Sequence, residues 1–138
     1  MRDALLDVAK AAAATVELKA GDAVLDIGSN DGTLLRFYPP DLRRVGVEPA
    51  NNLVTLDNYQ GLTVAHDFWP CSIIYAPFKI VTAIGMFYDL ENPNAFIAGV
   101  ARILAPDGVF IAQLMCLRNM LNMRDVGNFA HEHLEHYT

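Results

Sequence analysis

The sequence predicts a single α/β domain built on a parallel sheet of about five strands. The chain has 138 residues, the length of one domain, and 53% of them are hydrophobic, enough for a substantial core. Short apolar runs that are typical of buried strands alternate with segments of helical periodicity. This alternation indicates strand–helix–strand units with right-handed crossovers, and therefore strands that run parallel.

Helices are predicted where apolar residues recur on one helical face or where residues typical of helix ends occur. They are expected at residues 3–16, 33–37, 51–58, 93–104 and, in a mixed polar tail, near 117–124. The clearest is 93–104, because Asn92 can cap it and Pro93 suits its first turn. Its apolar face includes Phe96, Ile97 and Val100, which we expect in the core.

Strands are predicted at the short apolar runs. They are expected at residues 23–27, 44–47, 62–65, 80–85 and 109–114. Residues 69–78 contain Pro70 and Pro77 and have no clear period, so no element is assigned there. The chain stops about one strand–helix unit after the fifth strand, which would leave an unprotected edge. We therefore expect a shortened domain or a fragment that spans residues 1–138.

Charge and composition argue against several classes of function. Lys and Arg number 10 and Asp and Glu 16, so the net charge is −6. An acidic chain without a basic cluster suits neither nucleic acid nor an anionic membrane. The longest apolar run, 108–117, is too short to span a bilayer, and no targeting signal is found, so a cytoplasmic protein is expected. Cys71 and Cys116 cannot form a disulfide scaffold and are expected to be reduced.

The strongest chemical signal is the segment that follows the first strand. Asp26 ends that strand, and Gly28 and Gly32 stand where the chain must turn tightly into the next element. Asn30 tolerates a left-handed backbone better than most residues. The dinucleotide fingerprint would require glycines at positions 30 and 33, which hold Asn30 and Thr33. The acids beside the loop favour a cationic ligand group, such as an ammonium or a sulfonium.

Acids also follow the second and third strands. Glu48 lies 22 residues after Asp26, near the distance (~20 residues) at which an acid binds ribose hydroxyls in doubly wound folds. Asp67 can accept a hydrogen bond from the exocyclic amine of adenine, and the ring of Phe68 can lie against the base. Together these strand ends predict a pocket for an adenosine with a cationic tail.

Four motifs resemble the class I S-adenosylmethionine-dependent methyltransferases over about residues 20–115. They are Val-Leu-Asp-Ile-Gly-Ser-Asn-Asp-Gly at 24–32, Gly-Val-Glu-Pro at 46–49, the end of the fourth strand, and Leu-Ala-Pro-Asp-Gly at 104–108. The resemblance implies a three-layer Rossmann-like fold with strand order 3-2-1-4-5, without the last strands of the full fold. It also implies S-adenosylmethionine as cofactor. The implied cofactor-binding residues are Asp26, Gly28, Ser29, Asn30, Gly32, Glu48, Pro49, Asp67, Phe68, Gly85 and Met86.

A narrower resemblance is to the deoxysugar C-methyltransferases. Residues 86–93 (Met-Phe-Tyr-Asp-Leu-Glu-Asn-Pro) and 131–137 (His-Glu-His-Leu-Glu-His-Tyr) are similar to segments of that family. The family's His-Glu-His-Leu segment implies Glu132 and His133 as the catalytic pair and a nucleotide-linked keto-deoxysugar as methyl acceptor. The sequence departs from the family at Ala130, where many members have Tyr, and at Asp89, where many have His. The flanking domains that the family usually adds are not in this chain.

Several alternatives stay open. The chain could methylate an oxygen of another small metabolite, or bind the cofactor without activity of its own. A nicotinamide-dependent dehydrogenase is disfavoured by Thr33 and by the acidic loop. A metal site of the H-E-x-x-H type would need His at position 135, which holds Glu135, so no metal is predicted. The expected partner is a small-molecule acceptor, and a homodimer that covers the fifth strand is possible.

Overall fold

The computed structural model describes residues 2–75, 77–124 and 137, and its centre is a five-stranded parallel sheet. The strand order β3-β2-β1-β4-β5 confirms the predicted fold class and topology. The elements in chain order are α1 (Arg2–Ala13), β1 (Ala23–Ile27), β2 (Arg43–Val47), β3 (Thr63–Ala65), β4 (Phe78–Ile84), α2 (Pro93–Ile103), β5 (Leu104–Gln113) and α3 (Leu117–Met123). One-turn 3₁₀ helices lie at Leu35–Phe37 and Phe87–Asp89.

β1 is the central strand and is buried along its whole length. It pairs in parallel with β2 on one side and with β4 on the other. The register places Asp26 opposite Gly46 on β2 and opposite Thr82 on β4. Because parallel strands end at the same edge of the sheet, the loops that follow β1, β2, β3 and β4 meet there.

Apolar layers cover both faces of the sheet. On one face, Phe78 and Val81 pack with Phe96 of α2 and with Phe87. On the other, Ile80 packs with Ala9 and Ala12 of α1 and with Leu35 and Tyr38. The neighbouring residues Ile80 and Val81 therefore serve opposite cores, as the pleat requires, while a register irregularity separates Phe78 from Ile80. Burial along its whole length explains why β1 reads as an apolar run without alternation.

Helix α2 begins where the sequence predicts, but one core assignment on it is wrong. Asn92 caps it by accepting a hydrogen bond from Ala95 N at 3.0 Å. Its buried residues are Phe96, Gly99, Val100 and Ile103. Ile97 is 41% exposed, because it lies one residue beyond that face, about 100° around the helix from Phe96.

The predicted helix at 51–58 is also wrong, since the structure has only turns there. Polar side chains satisfy the backbone locally: Asn58 Nδ2 donates to Leu53 O at 2.8 Å, and Asn58 N donates to Thr55 Oγ1 at 3.2 Å. Such bonds offer the chain an alternative to the helix. The helix predicted at 33–37 is reduced to the 3₁₀ turn Leu35–Phe37, which comes just before two prolines.

Three further features concern the described part of the chain. Cys71 and Cys116 are both free thiols. No described helix has the length and apolar character needed to cross a membrane. Within the same residues, no three His, Cys, Asp or Glu side chains cluster in a way that could hold a metal ion.

Candidate functional site

Two adjoining cavities lie at the carboxyl edge of the sheet, where the strand-end loops meet. They share Gly28 and Asn30 from the loop after β1, and Ile84 and Gly85 from the end of β4. The smaller, of about 430 Å³, is also lined by Glu48, Pro49, Leu53, Asp67, Phe68, Trp69, Met86, Asp89 and Leu90. The larger, of about 820 Å³, includes Asp26, Ser29, Gln113 and residues of α1 such as Arg2 and Leu5. We refer to these two adjoining cavities together as the groove.

The loop after β1 turns at Gly28, whose φ is +73°. Its amide donates to Val47 O at 2.8 Å, which ties the loop to the end of β2. A Cβ at this position would lie 3.2 Å from Met86 Cγ. A side chain would therefore be strained by the backbone and would crowd Met86, so this turn favours glycine.

Glu48 links the end of β2 to this loop. Its Oε2 accepts the Asn30 N–H at 2.9 Å, and its Oε1 accepts the Ala50 N–H at 2.9 Å. Each carboxylate oxygen has a second lone pair, so this buried group can still accept hydrogen bonds from a diol in the smaller cavity. The geometry therefore fits the ribose role that the sequence predicts for Glu48.

Asp26 is a buried carboxyl on the central strand, 3% exposed. Thr82 Oγ1 lies 2.6 Å from Asp26 Oδ1 and 3.2 Å from Leu25 O. Burial raises the pKa of Asp26 to about 7; the Thr82 hydrogen bond lowers it, and the negative charge of Glu48 raises it further. A cationic group bound in the larger cavity would favour the ionised carboxylate.

The raised pKa predicts a pH dependence of stability that asparagine would remove. With the pKa near 3.8 in the unfolded chain and about 7 in the fold, Asp26 favours folding fully only below about pH 4. This contribution is lost as pH rises to about 7. The stability of Asp26→Asn relative to wild type should therefore increase by about 2–4 kcal/mol from pH 4 to pH 7.5. Urea unfolding at several pH values measures this difference, with Asp3→Asn as the exposed control. Parallel pH profiles for wild type and Asp26→Asn would contradict it.

Asp67 and Phe68 stand at the outer end of the smaller cavity, after β3. Asp67 Oδ1 accepts the Phe68 N–H at 2.7 Å, which leaves its other oxygen for a donor in the cavity. The Phe68 ring is 75% exposed, unusual for so large an apolar side chain. His66 Nε2 lies 3.0 Å from Pro49 O and joins the two strand-end loops. A flat base could stack on the Phe68 ring.

The side chains that line the smaller cavity give it a negative charge. Among the described residues that line it, Glu48, Asp67 and Asp89 are acidic and none is Lys or Arg. A negative potential repels phosphate and pyrophosphate groups and attracts cations. The cavity thus suits a nucleoside without phosphates better than a dinucleotide.

The structure brings together most of the residues that the sequence predicts for the site. Gly32 is the exception among those described: it lines neither cavity, and a Cβ there would lie 2.8 Å from Leu62 Cδ1. Ser29 lines the larger cavity, but its hydroxyl bonds to Tyr59 at 2.8 Å. Glu132 and His133 lie outside the described residues.

Sequence reasoning missed three residues that support the site. Thr82 contacts Asp26, and Tyr59 contacts Ser29. Gly46 leaves room for the side chains of Ser29 and Tyr59. A polar Thr82 within an apolar strand was a usable signal. Tyr59 lies in a segment without periodicity, and nothing in the sequence pairs it with Ser29.

Comparisons with known proteins give one family and several structural relatives. A family model described as a methyltransferase domain matches residues 1–138. The chain is 28% identical over 130 residues to the C-methyltransferase NovU of Streptomyces niveus. This match covers 89% of the chain but only 31% of NovU, so the chain spans about a third of that relative.

Two solved structures show how far the fold is shared. The YcgJ protein of Bacillus subtilis matches the whole chain with a TM-score of 0.76 at 19% identity, and the chain covers 63% of it. The glycopeptide N-methyltransferase MtfA, solved with S-adenosylmethionine, matches 80% of the chain with a TM-score of 0.63 at 18% identity. The chain covers 54% of MtfA. At these identities the likeness concerns the fold.

Proposed function

Because this chain belongs to the methyltransferase domain family, we propose that it binds S-adenosylmethionine in the groove and serves methyl transfer to a small molecule. Residues 1–138 are its cofactor-binding domain. The observation that carries the proposal is the Glu48 carboxylate, which holds the Asn30 amide and lines an acidic cavity of nucleoside size. An acid at the end of the second strand in this fold type accepts ribose hydroxyls.

Each part of the groove then has a role. The smaller cavity takes the adenosine, with the ribose at Glu48 and Pro49 and the base at Asp67 and Phe68. Gly28, Gly85 and Asp26 lie beside the methionine part, and the Asp26 carboxylate stabilises its positive charge. Bound S-adenosylmethionine supplies a methyl group on a positively charged sulfur. The chain's contribution is to orient that group toward the acceptor, an effect that can supply ~7–11 kcal/mol.

For the acceptor we propose a nucleotide-linked keto-deoxysugar that is methylated on carbon. NovU is described as a C-methyltransferase, and the His-Glu-His-Leu segment at 131–134 supports the same chemistry. In this mechanism the His133 imidazole removes a proton from the carbon beside the ketone, and the carbonyl oxygen takes up the negative charge. Glu132 orients the imidazole and selects its tautomer.

Tyr137 packs against the residues that follow β4. Its ring centroid lies 5.5 Å from that of Phe87, the residue after Met86, and its carbonyl accepts the Leu117 N–H at 2.8 Å.

A second candidate is a cofactor-binding module that needs other parts of a longer protein for turnover. The observation that favours this candidate is that the chain spans only 31% of the length of NovU. Such a module would bind S-adenosylmethionine but would transfer no methyl group. An acceptor oxygen in place of carbon is a variant of the first candidate, which the identity of the methylated product distinguishes.

Calorimetric titration of the chain tests which cofactor it binds. S-adenosylmethionine and its demethylated product S-adenosylhomocysteine should each bind at one site, whereas NAD should not bind at similar concentrations. NAD binding in preference to the other two would overturn the proposal, and so would the absence of binding by all three.

A separate experiment tests the proposed removal of a proton from the carbon beside the ketone. In deuterated buffer with S-adenosylhomocysteine and the keto-deoxysugar nucleotide, the protein should exchange the proton beside the ketone, as followed by NMR. We expect His133→Ala to lower this exchange rate at least ~100-fold, whereas the control His136→Ala keeps it. Equal exchange in wild type and His133→Ala would rule out His133 as the base.

A further inference from the structure

The peptide groups of Asn30 are held from both sides. Its N–H donates to Glu48 Oε2 at 2.9 Å, and its carbonyl accepts the Tyr59 O–H at 2.6 Å. Asn30 has a φ of 51°, a left-handed backbone that asparagine adopts more readily than most residues but less readily than glycine. The two hydrogen bonds favour this conformation of the loop. Glu48 and Tyr59 are therefore two halves of one clamp on the loop.

The Tyr59 hydroxyl makes a second contact with the same loop. Ser29 Oγ lies 2.8 Å from this hydroxyl and 3.4 Å from Val47 O. Since the Tyr59 O–H is directed to Asn30 O, Ser29 is the donor in its contact with Tyr59. The Tyr59 side chain is buried, and burial raises its pKa, so the hydroxyl keeps its proton at physiological pH. One phenol thus anchors two successive loop residues.

Gly46 on β2 makes this arrangement possible. A Cβ there would overlap Ser29 Oγ and would lie 3.0 Å from Ser29 Cβ and 3.1 Å from Tyr59 Cε1. Any larger residue would push both side chains away from β2. The absence of a side chain at position 46 therefore lets Ser29 and Tyr59 meet above the strand.

Two arginines hold the segment from which Tyr59 projects. Arg36 donates to Asp57 O and Gln60 O, each at 3.3 Å, and also to Asn58 O. Arg44 Nη2 donates to Gly61 O at 3.0 Å. These charge-assisted bonds to backbone carbonyls fix residues 57–61 although the segment forms no helix.

We propose that Tyr59 is a positioning residue of the cofactor site. It lines neither cavity, so it acts through Asn30 and Ser29, which do. Its hydroxyl holds the loop at residues 28–32 in the conformation that accepts the cofactor, so that binding does not have to order the loop. The proposal rests on the proposed function for the identity of the ligand, but the positioning of the loop can be observed without one.

Tyr59→Phe tests this proposal, because it removes one hydroxyl and leaves the ring over Gly46. Tyr38→Phe is the matched control: Tyr38 is also buried, and among the described residues its hydroxyl has no hydrogen-bond partner. We expect Tyr59→Phe to weaken S-adenosylhomocysteine binding ~5- to 20-fold in calorimetry, as expected for a lost hydrogen bond. Tyr38→Phe should bind as wild type does.

Amide hydrogen exchange of the ligand-free protein separates positioning from general stability. Tyr59→Phe should speed exchange at Asn30 at least ~5-fold and leave the amides of β4 unchanged. Faster exchange throughout the sheet would show a merely structural role and would overturn the proposal, as would unchanged exchange at Asn30 or unchanged affinity. If wild type itself fails to bind S-adenosylhomocysteine, the proposed function fails, while the exchange measurement still decides whether Tyr59 holds the loop.

Discussion

Replacing Glu48 with alanine should weaken S-adenosylhomocysteine binding at least ~100-fold, equivalent to about 2.7 kcal/mol. The substitution removes the acceptor of the Asn30 and Ala50 amides and the proposed acceptor of the ribose hydroxyls. Hydrogen bonds to a charged group are worth ~1.5–3 kcal/mol each. The loss is therefore larger than expected for Tyr59→Phe, which removes only one side of the clamp on Asn30.

Calorimetric titration of Glu48→Ala measures this effect, and Glu17→Ala is its control. The Glu17 side chain is 81% exposed and pairs only loosely with Lys19, at 3.5 Å. Its removal should leave both binding and stability unchanged. A Glu48→Ala variant that binds S-adenosylhomocysteine within ~3-fold of wild type would show that the ribose site lies elsewhere.

Replacing Phe96 with alanine should lower the free energy of unfolding by ~3–5 kcal/mol. Phe96 is 1% exposed and sits in an aromatic cluster under the sheet. Its ring centroid lies 5.3 Å from that of Phe87 in an edge-to-face pair and 6.2 Å from that of Trp69. Small domains have total stabilities of ~5–15 kcal/mol, so this loss would consume much of the margin.

Urea unfolding of Phe96→Ala and Ile97→Ala gives a matched comparison within one helix. Ile97 is 41% exposed, and its truncation should cost less than ~1.5 kcal/mol. The comparison also tests the corrected assignment of the buried face of α2. Equal losses for the two variants would contradict the aromatic cluster as the centre of this core.

Much of the fold could be predicted from the sequence, because parallel strands buried on both faces read as apolar runs. The run at 23–27 is β1, and the acids and glycines after the runs mark the edge where the loops meet. The motifs at 24–32 and 46–49 led to the class I methyltransferase family, which the family model confirms. The helix expected at 51–58 failed because Asn58 and Thr55 bond to their own backbone.

The site could be predicted only in part, since its support comes from contacts distant in sequence. Asp26 and Glu48 stand at strand ends, which are visible as patterns. The hydrogen bond from Tyr59 to Asn30 spans 29 residues and follows from the three-dimensional arrangement of two loops. No periodicity encodes such a pairing. The roles of Glu132 and His133 stay predictions. Whether His133→Ala slows deuterium exchange at the carbon beside the ketone decides the role of His133.

The most direct test of the proposed site is a crystal structure of the chain with S-adenosylhomocysteine. We expect the ribose hydroxyls within hydrogen-bond distance of Glu48, the base beside Asp67 and Phe68, and the sulfur near Gly85 and Met86. The adenosine would then fill the smaller cavity, of about 430 Å³. An adenosine bound in the larger cavity, away from Glu48, would contradict this assignment of the groove.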